Sequence, residues 1–166
     1  ALCDQQGNLW FCIINGGIMI YDMHIKTFRQ IFPGNKSTLD VRSLLEDKEG
    51  SIWIGTSEGV YQIDRASKKI LQHMDVPDNL VRTVIKDRKG HIWIGSFGGG
   101  IFLYSSNGQR LKEFNTYLGF PSNTINHLFE DSKGQIWAAT GEGLVQFENK
   151  VPWIYHVYQR NEGLTN

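Results

Sequence analysis

One short pattern recurs four times along the chain, and it decides what the chain can fold into. The segments "CDQQGNLWFCI" (Cys3 to Ile13), "EDKEGSIWIGT" (Glu46 to Thr56), "KDRKGHIWIGS" (Lys86 to Ser96) and "EDSKGQIWAAT" (Glu130 to Thr140) share an Asp, two variable residues, a Gly, a polar residue, an aliphatic residue and a Trp. The tryptophans are Trp10, Trp53, Trp93 and Trp137, spaced 43, 40 and 44 residues apart. A period in this range marks an array of like supersecondary units, each of which buries its apolar face on the next.

The local chemistry of one copy reads as strands. Asp-x-x-Gly lies between two short apolar runs. Asp favours the first turn position because its carboxylate accepts nearby backbone N–H groups, and Gly follows where φ must be positive. Asp47 to Gly50 is therefore a tight hairpin turn between a strand at Val41 to Glu46 and another at Ser51 to Thr56, both rich in β-branched and aromatic residues. A second turn follows in every copy: "NGG" before "IMIYD", "TSEG" before "VYQID", "GGG" before "IFLYS" and "TGEG" before "LVQFE". A more polar strand, such as Lys69 to Met74, closes the unit. Four short antiparallel strands per repeat is the plan of a propeller blade.

The fold expected is thus all-β, a β-propeller segment of about four four-stranded antiparallel blades. Their expected limits are about 1–35, 36–77, 78–117 and 118–160, with 161–166 leading into a further unit because "NEGLTN" matches "YLGFPSN". The first three strands of a unit are apolar on both faces, as befits a sheet held between neighbours. The Trp ladder then fills the gaps between blades; a sugar-stacking role would require those rings to be exposed. An unclosed segment exposes two blade faces and is expected to self-associate.

Composition narrows the function. Lys plus Arg and Asp plus Glu both number 17, so the formal charge is zero and nothing basic invites nucleic acid or an anionic membrane. No run of 18 apolar residues is present to span a bilayer. In the hairpin register Cys3 is expected opposite Asn8 and far from Cys12, so the two read as buried thiols and not as a bridge.

These residues resemble a known family. "LEDKEGSIWIGTSEGVYQID" and "GFPSNTINHLFEDSKGQIWAATGEGLVQFE" are similar to the two-component regulator propeller repeat, whose core is D-x-x-G-x-[IL]-W followed by an E-G or G-G turn. Copy one departs most, with Phe11-Cys12 after its Trp. The resemblance implies seven-bladed propellers in the periplasmic sensor region of hybrid two-component histidine kinases of the Bacteroidetes type. It also implies an oligosaccharide signal and a homodimeric parent receptor completed by further blades.

No catalytic constellation emerges from the residues themselves. His24, His73, His91, His127 and His156 share no metal-ligand spacing, Glu46-Asp47 and Glu130-Asp131 point to opposite faces of a strand, and no phosphate loop is present. The segment is expected to be non-catalytic, with no cofactor and no metal. Topology locates a candidate binding end instead. In an up-and-down blade the second turn and the blade-to-blade connection share one end, which carries Glu58, Phe97, Glu142, Asn79 and Asn123. Arg42, Arg82 and Asn126 open the inner strands there. Polar groups beside an aromatic suit a sugar or its carboxylate; alternatively the arginines pair with loop acids. The order of readings is a ligand-sensing segment, then a protein-interaction or scaffold propeller, then a polysaccharide-active enzyme.

Overall fold

The computed structural model describes residues 1–35, 38–77, 80–148 and 150–159. Among the described residues sixteen strands form four antiparallel sheets of four, and the helical structure is two 3₁₀ turns, Pro33–Asn35 and Thr116–Leu118. The first sheet is β1 (Leu2–Cys3), β2 (Leu9–Ile13), β3 (Gly17–Asp22) and β4 (Thr27–Ile31). The second is β5 (Val41–Glu46), β6 (Ser51–Thr56), β7 (Gly59–Asp64) and β8 (Ile70–Met74). The third is β9 (Val81–Lys86), β10 (Ile92–Ser96), β11 (Ile101–Tyr104) and β12 (Arg110–Phe114). The fourth is β13 (Ile125–Glu130), β14 (Ile136–Thr140), β15 (Gly143–Glu148) and β16 (Ile154–Tyr158). Each sheet is a simple meander in chain order.

The chain divides into two compact units, Ala1–Val84 and Ile85–Asn166. The core of the first gathers Trp10, Ile18, Ile20, Leu39, Val41, Ile52, Ile54, Tyr61 and Ile63 from two adjacent sheets. In the second, Trp93 lies 5.2 Å from both Phe147 and Trp153, centroid to centroid, with Phe114, Phe120 and Tyr155 completing an aromatic core. The middle strand β6 is buried along its whole length, whereas β8 is largely exposed. That gradient follows from the pattern of apolar inner strands and polar outer ones.

The repeated Asp and Trp are joined. The indole Nε1 of Trp10, Trp53, Trp93 and Trp137 donates to Oδ2 of Asp4, Asp47, Asp87 and Asp131 at 2.9, 2.8, 3.0 and 3.0 Å. The other carboxylate oxygen accepts the backbone N–H groups two and four residues on, as Asp47 does from Glu49 at 3.1 Å and Ser51 at 2.8 Å. One side chain therefore closes the turn and fixes the rotamer of the Trp beyond it. The glycine of the motif has φ of +85°, +85°, +86° and +78° in the four copies, a region that L side chains avoid. Trp10, Trp53 and Trp93 are buried and Trp137 is half-buried, so the ladder is structural.

The expectation for the cysteines is corrected in two respects. Cys3 is opposite Leu9, one residue from the expected register, because the Asp4 amide bonds to the Asn8 carbonyl and ends the ladder there. Cys3 is also exposed, while Cys12 is half-buried; both are free thiols.

Candidate functional site

The two ends of a blade are built by different turns, as the meander requires. At the Asp-x-x-Gly end, the Arg65 amide of the β7–β8 turn bonds to the Gly50 carbonyl. At the other end, the second turn meets the connection between sheets: Gly17 donates to Leu39, Ser57 to Asp40, Gly100 to Asn123 and Gly141 to Thr124, all at 2.9–3.2 Å.

Hydroxyls organise these second turns. Thr56 Oγ1 donates to the Gly59 carbonyl at 2.9 Å and accepts the Glu58 amide at 3.0 Å. Ser96 and Thr140 repeat the arrangement with Gly100 and Gly99, and with Gly143 and Glu142. The first copy has no hydroxyl there. Its turn has three residues between Ile13 and Gly17, as the third copy's has between Ser96 and Gly100, and Asn15 takes φ +54°.

In the first unit, Arg42 sits at a β-bulge where the β5–β6 register shifts between Val41 and Ser43. A bulge leaves one residue unpaired and re-aims its side chain. Arg42 Nε and Nη2 both donate to Asp40 Oδ2, at 3.0 and 2.8 Å, and the pair is partly exposed. The Glu58 carbonyl is 2.9 Å from Nε2 of His73, whose ring stacks on Tyr61 at 4.2 Å. The Ser57–Asp40 bond brings the Glu58 turn beside the Arg42–Asp40 pair. Arg82 lies half-buried in β9, engaged with neighbours.

In the second unit, Asn126 occupies the equivalent bulge, between Ile125 and His127, and is exposed. Phe97 is 47% exposed, so its ring is available for stacking. Glu142 is exposed at the tip of its turn. Thr124, which the sequence did not single out, ties these residues together: its Oγ1 donates to the Phe97 carbonyl at 3.0 Å, and its own carbonyl accepts the Gly141 amide at 3.0 Å. Asn123 is used internally, its Oδ1 accepting the Thr116 amide at 2.8 Å and its carbonyl accepting Gly100. Asn79 lies outside the described residues. The structure thus groups Phe97, Asn123, Asn126 and Glu142 in one unit and Arg42 with Glu58 in the other. The common spacing of the second-turn hydroxyls was the available signal for their role; nothing in the pattern marked Thr124.

Among the described residues no group of three or more His, Cys, Asp or Glu side chains is placed to hold a metal, and no helix is long and apolar enough to cross a membrane.

Four-stranded meanders whose outer-to-inner connections return beside the second turns are blades of a β-propeller. A family model described as "Two component regulator propeller" matches residues 35–58, 75–98 and 119–142. The chain belongs to the two component regulator propeller family. The first copy, with Phe11-Cys12 and no hydroxyl at its second turn, lies outside the matched spans. Among solved structures, the chain is similar to the extracellular domain of a hybrid two component system from B. thetaiotaomicron, with 46% identity and a TM-score of 0.90, covering 99% of this chain and 23% of that one. A second such extracellular domain from the same organism matches at 19% identity and TM-score 0.76, over 95% of this chain and 23% of that one. Virginiamycin B lyase from Staphylococcus aureus shares the fold at 13% identity and TM-score 0.75, over 95% of this chain and 54% of the lyase. The chain therefore spans under a quarter of the length of the two hybrid-system domains. A comparison with curated proteins found no match.

Proposed function

We propose that the chain is part of the periplasmic, ligand-sensing propeller region of a hybrid two-component histidine kinase, without catalysis of its own, and that its signal is an oligosaccharide. One observation carries this reading: 46% identity sustained over 99% of the chain with the extracellular domain of such a system. Ligand contact falls to Phe97 for stacking on a sugar face, and to Glu142 and Asn126 for its hydroxyls. Arg42, Arg82 and Glu58 supply equivalent positions in the first unit, Asn123 a further one in the second, and Asn79 is included from its place in the sequence alone. The signal would act by binding one arrangement of a homodimeric receptor better than another, since only differential affinity shifts an equilibrium.

A scaffold reading ranks second, and it draws on the internal engagement of two candidates, Arg42 with Asp40 and Asn123 with Thr116.

The test is a thermal-shift screen of neutral and acidic oligosaccharides against the receptor's extracellular region. Ligand at a hundredfold excess over Kd adds about 2.7 kcal/mol to the native state. Phe97→Ala and Glu142→Ala, both exposed, should abolish the shift while leaving the unliganded melting temperature in place. A shift that survives both variants removes the ligand from these residues. No shift with any glycan favours the scaffold reading.

A further inference from the structure

The second unit carries a cleft at its Asp-x-x-Gly end, opposite the candidate ligand end. Its volume is about 480 Å³, within the roughly 300–1,000 Å³ typical of small-molecule sites. Its charged lining is Arg88, Lys89, Lys133 and Lys150 against Glu130 and Glu148, so a chain of zero formal charge concentrates a surplus of two positive charges here.

The two carboxylates are already matched. Glu130 Oε1 accepts the Arg88 amide at 3.3 Å, and its Oε2 lies 3.9 Å from the Arg88 guanidinium. That guanidinium is fixed in place by the carbonyls of Ser132 and Asp131 at 2.8 and 3.0 Å. Glu148 lies 2.5 Å from Lys150 and 3.7 Å from His156. The Asp131 carboxylate is turned into the blade, toward Trp137 and the amides of Lys133 and Gln135.

The second copy shows what a filled cleft looks like. There Arg65 lies across Gly50 and pairs with Glu46, the equivalent of Glu130, with its side chain only 18% exposed. The equivalent residue in the fourth copy is Asn149, so that copy brings no arginine of its own to the position, and its Glu130 is served by Arg88 from the neighbouring blade.

We propose that this cleft binds an oxyanion (sulfate, phosphate or carboxylate), free or carried on a saccharide. Arg88 holds a fixed positive charge at its wall, each terminal nitrogen carrying one hydrogen beyond the one given to a carbonyl, and Lys133 and Lys150 are exposed at its mouth. Charge-assisted bonds from such groups are the strong kind, and a cleft lined by one surplus sign of charge draws the opposite sign to it. The proposal is independent of which signal the receptor reads.

The test is amide NMR of the full chain titrated with sodium sulfate, the ionic strength being held constant with sodium chloride. Shifts should saturate and concentrate at Gly134, Gln135 and the Arg88 turn. Lys133→Glu should weaken binding at least tenfold, Glu148→Gln should tighten it, and Lys48→Glu in the second copy should leave it unchanged. Shifts scattered over the surface, or equal losses in Lys133→Glu and Lys48→Glu, would overturn the proposal. A sulfated disaccharide and its unsulfated parent separate the sources. Binding of the sulfated sugar at least tenfold tighter than inorganic sulfate identifies a saccharide-borne anion, and equal binding identifies the free ion.

Discussion

The Asp–Trp tie makes a quantitative prediction, testable in the second copy, where both partners are buried. Trp53 is 1% and Asp47 5% exposed, and their bond is 2.8 Å. Trp53→Phe keeps the ring's packing but removes the donor. A hydrogen bond to a charged group is worth about 1.5–3 kcal/mol, and the space left by the smaller ring adds about 1 kcal/mol. Asp47→Asn retains the oxygen that accepts Glu49 and Ser51 but turns an amide N–H toward the indole N–H, at a cost of about 2–4 kcal/mol. The double variant has no donor–donor conflict, so it should cost less than the sum of the singles by about 1.5–3 kcal/mol. Urea melts followed by circular dichroism measure all three, provided the m-value is unchanged. At about 2–4 °C per kcal/mol for a chain of this size, Trp53→Phe alone should lower the melting temperature by roughly 5–16 °C. The equivalent cycle at Asp131 and Trp137, both half-buried, should show a smaller coupling. Single-variant costs that add to within about 0.5 kcal/mol in the second copy would refute the reasoning, and the six-residue spacing would then reflect packing alone.

Two further predictions concern backbone and pH. A Cβ at Gly100 would collide with the Phe114 carbonyl at φ +86°, whereas one at Gly7, φ +85°, meets nothing within 4 Å. Gly100→Ala should therefore cost several kcal/mol and Gly7→Ala only the conformational strain of about 1–2 kcal/mol, a difference readable in urea midpoints. The Asp4 carboxyl is pushed up by burial, but the indole of Trp10 and the amides of Asn8 and Gln6 more than offset this and hold it below the usual value; Asp131 is lowered first by Trp137 and then by the Gln135 amide. A group with a depressed folded pKa stabilises the native state fully above its unfolded pKa of about 3.9. Stability should thus stay level from neutral pH to about 5, and fall as pH drops through 4 toward the folded values. A melting temperature that rose between pH 5 and 3 would contradict this.

The sheets were legible because each depends on interactions only a few residues apart. The strands expected at Val41–Glu46 and Ser51–Thr56 are found with those bounds, since the turn Asp and Gly set the register between them. The Asp–Trp bond was written in the constant spacing of six, yet the pattern alone does not distinguish a packed indole from a bonded one. The bulges at Arg42 and Asn126 were not legible: no residue type demands them, and they arise where the inner strand must leave the ladder to meet the connection. The cleft beside Arg88 was invisible for a related reason. It depends on side chains from two blades about 40 residues apart, and on what the fourth copy lacks where the second has Arg65.

The same period that reveals the scaffold also separates it from the positions open to change. In each copy Asp, Gly and Trp satisfy one another, and in three of the four a hydroxyl secures the second turn, so the backbone is fixed without help from the residues between them. Those intervening residues differ from copy to copy: Ile14 and Asn15, Ser57 and Glu58, Phe97 and Gly98, Gly141 and Glu142 at one end, and Gln5, Lys48, Arg88 and Ser132 at the other. Surface substitutions that touch no such internal bond usually change stability by about 0.5 kcal/mol or less. A blade can therefore alter what it presents at either end almost independently of how well it folds. The first copy takes this furthest. It has no hydroxyl to cap the turn, which holds Ile14 66% exposed, an apolar tip on the end where the third copy presents Phe97. Burying that isoleucine elsewhere in the blade would have been favourable by about 1.5–3 kcal/mol, so its exposure is a cost the turn carries, and a contact made there on ligand or neighbour binding is the interaction that would offset it.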